Sequence, residues 1–153
     1  MVKEPIPHSV ELLDRVKKAL TPNGRPTLID RRPLLIAIDR ADGVGKSSLA
    51  SWLAWQLGMP AVQLDLYLTS LEPIQWLTAD LKRVVDRRLD RKRPLIVDGV
   101  LVLDALDQIG RKADFVVFVT GNSGIALASQ LTEYRVRRKL PERADFTLDG
   151  YTE

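Results

Sequence analysis

The sequence has no cysteine and a single histidine, His8. The first absence excludes a disulfide scaffold, cysteine-ligated zinc, iron–sulfur clusters and thiol chemistry. The second excludes a metal site built from several imidazoles. Aromatic residues make up only 6% of the chain. No apolar run reaches the ~20 residues that span a bilayer, and Met1–Ser9 lacks the apolar core of a signal peptide. Internal repeats and low-complexity stretches are missing too. Charge of one sign is scarce: 23 Lys and Arg face 20 Asp and Glu, a net +3, which permits an anionic ligand without requiring one. What remains is ordinary for a globular chain. Its 153 residues, 45% hydrophobic and 28% charged, suffice to bury roughly 70% of the unfolded surface around one core. The expectation is a single cytoplasmic domain over 1–153 with no membrane partner, residues 1–28 forming an N-terminal helical appendage.

Hydrophobic periodicity orders the elements. Residues 9–20 (SVELLDRVKKAL) place Leu12, Leu13, Val16 and Leu20 on one stripe, with Ser9 as N-cap and Pro22 and Gly24 as stops. Leu34–Ile38 is a continuous apolar run, the mark of a strand covered on both faces. A helix follows over 46–57, closed by Gly58 and Pro60. Further strands are predicted at 61–64, 95–97, 115–119 and 146–148, the last at an edge. Helices are predicted over 74–92, with an apolar stripe of Leu77, Leu81, Val84, Val85 and Leu89, and over 125–139. Strands alternating with helices predict an α/β fold with a parallel sheet and helices on both faces.

The stretch Ile38–Ser48 (IDRADGVGKSS) lies between a buried strand and a helix start, where a phosphate-binding loop belongs. Gly43 and Gly45 let consecutive backbone N–H groups converge on one point. The helix start adds a partial positive charge of about +0.5. Residues Ala41, Asp42, Gly43, Val44, Gly45, Lys46, Ser47 and Ser48 are therefore the candidate nucleotide contacts. Lys46 is placed on the β- and γ-phosphates, and the Ser47 hydroxyl on Mg²⁺. The full signature is G-x-x-x-x-G-K-[ST], and its first glycine is replaced by Arg40. A side chain of that size is expected to point outward or to distort the loop. The alternative is a glycine-rich helix start that matches by chance.

Asp39, Asp65 and Asp98 each end a predicted strand, and ligands of doubly wound sheets bind at strand carboxyl ends. Phosphoryl transfer needs a cation to neutralise charge and a group that positions the attacking hydroxyl. Asp98 stands where a metal-binding carboxylate follows an apolar strand. Asp65 is the candidate acceptor of the hydroxyl's proton. Aspartate is a weak base near neutrality, so alignment matters as much as proton removal. For Asp39 a structural capping role is the favoured reading.

These pieces resemble the P-loop small-molecule kinases, most closely the uridine kinase and phosphoribulokinase-like group. IAIDRADGVGKSSLA (36–50) is similar to that group's first strand and loop, and VQLDLYL (62–68) to its second strand. LIVDGVLVLDAL (95–106) resembles the strand ending in an acidic residue and glycine, and ADFVVFVTG (113–121) the strand after it. The loop also resembles that of thymidylate kinase, although the Asp-Arg motif of that enzyme is not found. The resemblance implies a three-layer P-loop NTPase fold with a mostly parallel five-stranded sheet. It implies ATP and Mg²⁺ as cofactors, Lys46 and Asp65 as catalytic residues, and Ser47, Asp65 and Asp98 around the metal. Tyr67 would line the acceptor pocket. Arg135, Arg137 and Arg138, in the short segment YRVRRKLPER (134–143), would stand in for lid arginines, the alternative being that at least two of them are a solvated helix end beside its C-terminal partial charge. The family's longer acceptor insert is replaced by 69–93, read as almost all one helix.

Arg83, Arg87 and Arg91 recur every four residues, with Arg88 and Arg93 nearby and Asp80, Asp86 and Asp90 interleaved. The spacing offers ion-pair partners, so a solvated face is expected rather than a nucleic-acid groove. Trp52, Trp55 and Trp76 fall on predicted helices, where core or dimer packing is the default, so a homodimer is compatible. Two functions stand side by side. One is an ATP-dependent kinase of a small hydroxyl-bearing metabolite, nucleoside-like by resemblance. The alternative is a non-catalytic or weakly binding P-loop nucleotide-binding protein with a regulatory role.

Overall fold

A computed structural model of the chain describes residues 4–21, 31–40, 48–121 and 127–150. In chain order the elements are α1 (Ser9–Leu20), β1 (Leu35–Arg40), α2 (Ser48–Leu57), β2 (Ala61–Gln63), a 3₁₀ turn (Leu64–Tyr67), β3 (Leu68–Leu71), β4 (Ile74–Trp76), α3 (Thr78–Asp90), β5 (Leu95–Gly99), α4 (Val102–Gln108), β6 (Phe115–Thr120), α5 (Ala128–Arg138) and β7 (Phe146–Asp149). Five strands make one sheet in the order β2-β5-β1-β6-β7. Every neighbouring pair in it is parallel. The predicted five strands and their α/β alternation are all present, and β7 lies at an edge. β1 and β5 are buried along their whole length, as strands of a sheet sandwiched between helices must be.

The helices bury the stripes that their periodicity predicts. Leu49, Leu53 and Leu57 of α2 are buried, and Gly58 closes that helix with φ +63, a conformation that costs glycine little. The α1 stripe of Leu12, Leu13, Val16 and Leu20, with Ile6 before it, belongs to the same core cluster as β1 and β5. Ser9 is the first helical residue rather than the cap; the cap position is His8, and the Ser9 hydroxyl donates to the Ile6 carbonyl at 2.6 Å.

The structure corrects the single helix over 74–92. Residues 68–76 form an antiparallel hairpin of β3 and β4, and the helix begins only at Thr78. Ile74 and Trp76 point toward the core with Gln75 exposed between them, a period of two that the downstream helical stripe masks. Trp76, expected on a helix, therefore packs in the core from a strand. Leu77 and Val84, expected on the stripe, are exposed, whereas Leu81, Val85 and Leu89 are buried. The short helix α4 is likewise not apparent in the sequence; seven residues carry too little periodicity to show it.

Candidate functional site

The carboxyl ends of β1 and β5 and the 3₁₀ turn after β2 meet at one edge of the sheet. Register places Asp98 beside Ile38 on one side and Gln63 on the other, and Asp39 between Gly99 and Phe118. Alternation along β1 sends Asp39 and Arg40 to opposite faces.

On one face Arg40 joins the two carboxylates singled out in the sequence. Its Nε donates to Asp98 Oδ1 at 3.1 Å and its Nη2 to Asp65 Oδ2 at 3.1 Å. The Arg40 side chain is only 6% exposed and that of Asp98 1%, while that of Asp65 is 51% exposed. Burial works against the guanidinium charge, but Asp98 and Asp65 outweigh it and hold the Arg40 pKa above its ordinary value. Of the two expected outcomes for this bulky side chain, pointing outward is not what occurs; distortion of the loop concerns residues 41–47, outside the described residues. Two carboxylates at the ends of flanking elements replace the water that Arg40 loses.

On the other face Asp39 is 1% exposed. The Tyr134 hydroxyl of α5 donates to its Oδ2 and accepts the Leu103 N–H at 3.2 Å. Burial pushes the Asp39 pKa up to about 7, against the lowering effects of Tyr134 and Arg135. Burial and the neighbouring Asp39 together raise that of Tyr134. Arg135 lies over the Phe118 ring, 5.3 Å from its centroid. Tyr134 drew no notice in the sequence. Its only signal is its spacing from Leu131 of α5 and from Leu127, the residue that caps that helix, all buried.

Arg138 lies further along α5 and is held by α4: its Nη2 donates to Asp104 Oδ1 at 2.6 Å and to Asp107 Oδ2 at 2.5 Å. Arg137 grips Asp104 with both Nη atoms at 2.8 and 2.7 Å. Partial burial raises the Asp104 pKa, but the two arginines overcome it and hold the carboxyl below its usual value. Tyr67, at the end of the 3₁₀ turn, is half-buried, and its carbonyl accepts the Leu77 N–H at 2.7 Å. Residues Ala41, Asp42, Gly43, Val44, Gly45, Lys46 and Ser47 lie outside the described residues, as does the side chain of Ser48, the first residue of α2. Gly99 follows Asp98 because nothing larger fits: an added Cβ would lie 2.6 Å from the Leu64 Cβ.

The kinase resemblance of the sequence would put a divalent metal between Asp65 and Asp98. These residues do not fit it as they stand, because Arg40 already bridges them. Among the described residues no group of three or more His, Asp or Glu side chains is placed to hold a metal ion.

The architecture is that of the P-loop kinase fold, an α/β class built on a parallel sheet covered by helices. A solved structure described as a possible uridine kinase from Bacillus stearothermophilus matches it with a TM-score of 0.62 at 16% identity, over 92% of this chain and 97% of that one. Shikimate kinase from Bacteroides thetaiotaomicron matches at 15% identity with a TM-score of 0.42, over 76% of this chain and 86% of that one. No protein-family model matches the sequence, and no curated protein does. No helix among the described residues is long and apolar enough to cross a membrane.

Proposed function

We propose that the chain is an ATP-dependent phosphotransferase acting on a small hydroxyl-bearing metabolite, uridine kinase-like in its acceptor. The observation that carries this reading is the meeting of Asp65 and Asp98 at the carboxyl end of β5 and beside that of β1, directly before the segment that carries Gly45-Lys46-Ser47. The backbone amides of 41–48 and the Lys46 ammonium hold the β- and γ-phosphates and supply positive charge to the transferring group. Asp65 is the half-exposed member of the set, so an acceptor hydroxyl reaches it from solvent. The acceptor oxygen bonds to the γ-phosphorus, the bond from that phosphorus to the β,γ-bridging oxygen breaks, and the hydroxyl proton passes to Asp65. Tyr67 forms a wall of the acceptor side. Arg135 serves the phosphate side, and Arg138 joins it only by leaving Asp104 and Asp107. The same Arg40 bridge favours a second reading, a nucleotide-binding protein without turnover, because it engages the carboxylate that the reaction uses.

ATP consumption measured across nucleosides and sugars tests both. The kinase reading expects turnover with at least one acceptor, a fall of about 100-fold or more in Asp65→Asn, and ATP binding retained in that variant. Binding that Lys46→Ala abolishes, without turnover on any acceptor, selects the regulatory reading. No binding at millimolar ATP would sink both.

A further inference from the structure

We infer that Arg40 is the resident cation of this site, standing between Asp65 and Asp98 in the place of a divalent ion. A magnesium ion asks for oxygen ligands at about 2.0–2.1 Å in near-octahedral order. Here the Asp98 oxygen and the Asp65 oxygen are instead each 3.1 Å from a nitrogen of one planar guanidinium. A guanidinium stays charged at every physiological pH, so no titration clears the seat. The buried Asp98 carboxylate also makes leaving expensive, since removing one partner of a buried pair strands the other charge. A divalent ion therefore finds the place between these carboxylates taken in the wild-type chain, and removing Arg40 opens it to one.

The test is Mn²⁺ titration followed by electron paramagnetic resonance, which reads the free ion without any turnover. Wild type should leave the signal unchanged up to about 1 mM. Arg40→Ala should take up one Mn²⁺ per chain and rise in Tm as it does so, and Arg40→Ala with Asp98→Asn should take up none. A wild-type chain that binds one Mn²⁺, lost in Asp98→Asn, overturns the inference; so does a folded Arg40→Ala that binds none. If Arg40→Ala fails to fold, the wild-type and Asp98→Asn titrations decide alone. The nucleotide consequence rests on the function proposed above: labelled ATP should bind within twofold equally in Mg²⁺ and in EDTA. Loss of ATP binding in both conditions overturns that function, while the manganese result, which involves no nucleotide, still decides this inference.

A second face carries an independent inference. Val84, Arg87 and Arg88 of α3 and Arg91, the C-cap residue just after it, follow at spacings of three and four residues and line a cavity of about 700 Å³ with Arg93, Pro60, Val62 and Leu95. Its floor comes from the amino-terminal ends of β2 and β5, so it opens at the opposite edge of the sheet from Asp65 and Asp98. Arg83, Arg87 and Arg91 are exposed, as a solvated face requires, but the aspartates expected to pair with them turn elsewhere. Asp86 pairs with Lys82 and Arg111, and Asp90 with Arg111. Among the described residues Arg87, Arg91 and Arg93 make no ion pair. Two smaller cavities each carry a carboxylate, Asp107 or Glu142; among the described residues this one carries none. Arg88 is held in place by its Nε bond to the Pro94 carbonyl at 2.9 Å. Burial and the nearby Arg93 and Arg31 lower its pKa, a repulsion that a bound anion would relieve.

The geometry points to a binding site for a nucleotide-sized polyphosphate on this groove. Its volume is that of a small-molecule pocket, and its apolar floor suits a base or similar ring. Arg87 and Arg91 are only about 6 Å apart along the helix axis, a reach matched to a short phosphate chain rather than to a nucleic-acid strand. Calorimetry with inorganic tripolyphosphate tests it, run in a Lys46→Ala background so that the 41–48 loop does not contribute. One equivalent should bind, and adding Arg87→Gln and Arg91→Gln, both at exposed positions, should weaken it at least tenfold with the circular dichroism unchanged. Unaltered affinity in that variant overturns the proposal. So does tighter binding of a 20-nucleotide oligothymidylate that depends on the same arginines, which would make the groove a nucleic-acid surface.

Discussion

Asp39 carries the clearest pH signature among the described carboxylates. Its folded pKa of about 7 lies above the ordinary carboxylate value because burial disfavours the charge. Between about pH 4 and 7 the native state therefore keeps a proton that the unfolded chain has released. More protons bound to the native state means that stability falls as pH rises through this window. The fall attributable to Asp39 is on the order of a few kcal/mol across it. Asp39→Asn keeps an acceptor for the Tyr134 hydroxyl and removes the titration. Urea denaturation from pH 4 to 8 should show a flatter stability profile in the variant than in wild type, and equal slopes would refute the buried-proton account. Asp104 works in the opposite sense: its lowered pKa contributes stability above the unfolded value that is lost as pH falls, so the two effects occupy different windows.

Among the elements, two contacts position the site. The 3₁₀ turn that carries Asp65 rests directly on β5, with Leu64 against the backbone of Gly99. Gly99→Ala drives a Cβ into the backbone-anchored Cβ of Leu64, so the turn must shift. The expected loss is about 1–3 kcal/mol by urea denaturation, with the Arg40–Asp65 pair broken and the Arg40–Asp98 pair kept in a crystal structure of the variant. The hairpin of β3 and β4 depends on α5 in turn: Gln130 accepts the Ile74 N–H at 3.1 Å and donates to the Leu71 carbonyl at 2.9 Å. Gln130→Ala should raise hydrogen exchange over residues 68–76 by several-fold while lowering global stability by about 1 kcal/mol. Unchanged exchange in the hairpin would show that it stands without α5. The acidic-residue-and-glycine pattern at 98–99 was legible in the sequence; its reason, a turn pressed against the strand, appears only in three dimensions.

For the whole molecule, the question is whether α1 stands apart or belongs to the body. Its stripe is continuous with the core, Leu12 is fully buried, and Arg15 lies over the Phe146 ring at the far end of the sheet, 5.9 Å from its centroid. Leu12→Ala should therefore cost about 2–5 kcal/mol, as a core truncation does. Denaturation followed by far-ultraviolet circular dichroism and by tryptophan fluorescence should give coincident transitions. A loss under about 1 kcal/mol would mark α1 as an appendage.

The sequence by itself determined the five strands of the sheet, their alternation with helices, and the placement of Asp39 and Asp98 at strand ends; Asp65, expected to end a strand, lies in the 3₁₀ turn beyond it. Each of these is written in the side-chain period of one contiguous segment. Tertiary structure alone decided that Arg40 turns inward. Its partners lie 25 and 58 residues away, and only the parallel order β2-β5-β1 brings them within a guanidinium's reach. The same holds for Tyr134 on Asp39, 95 residues apart, and for the arginines of α3, whose nearest aspartates in sequence turn to Arg111 instead. Periodicity states which face of an element is buried; which charge meets which depends on distances that no single segment contains.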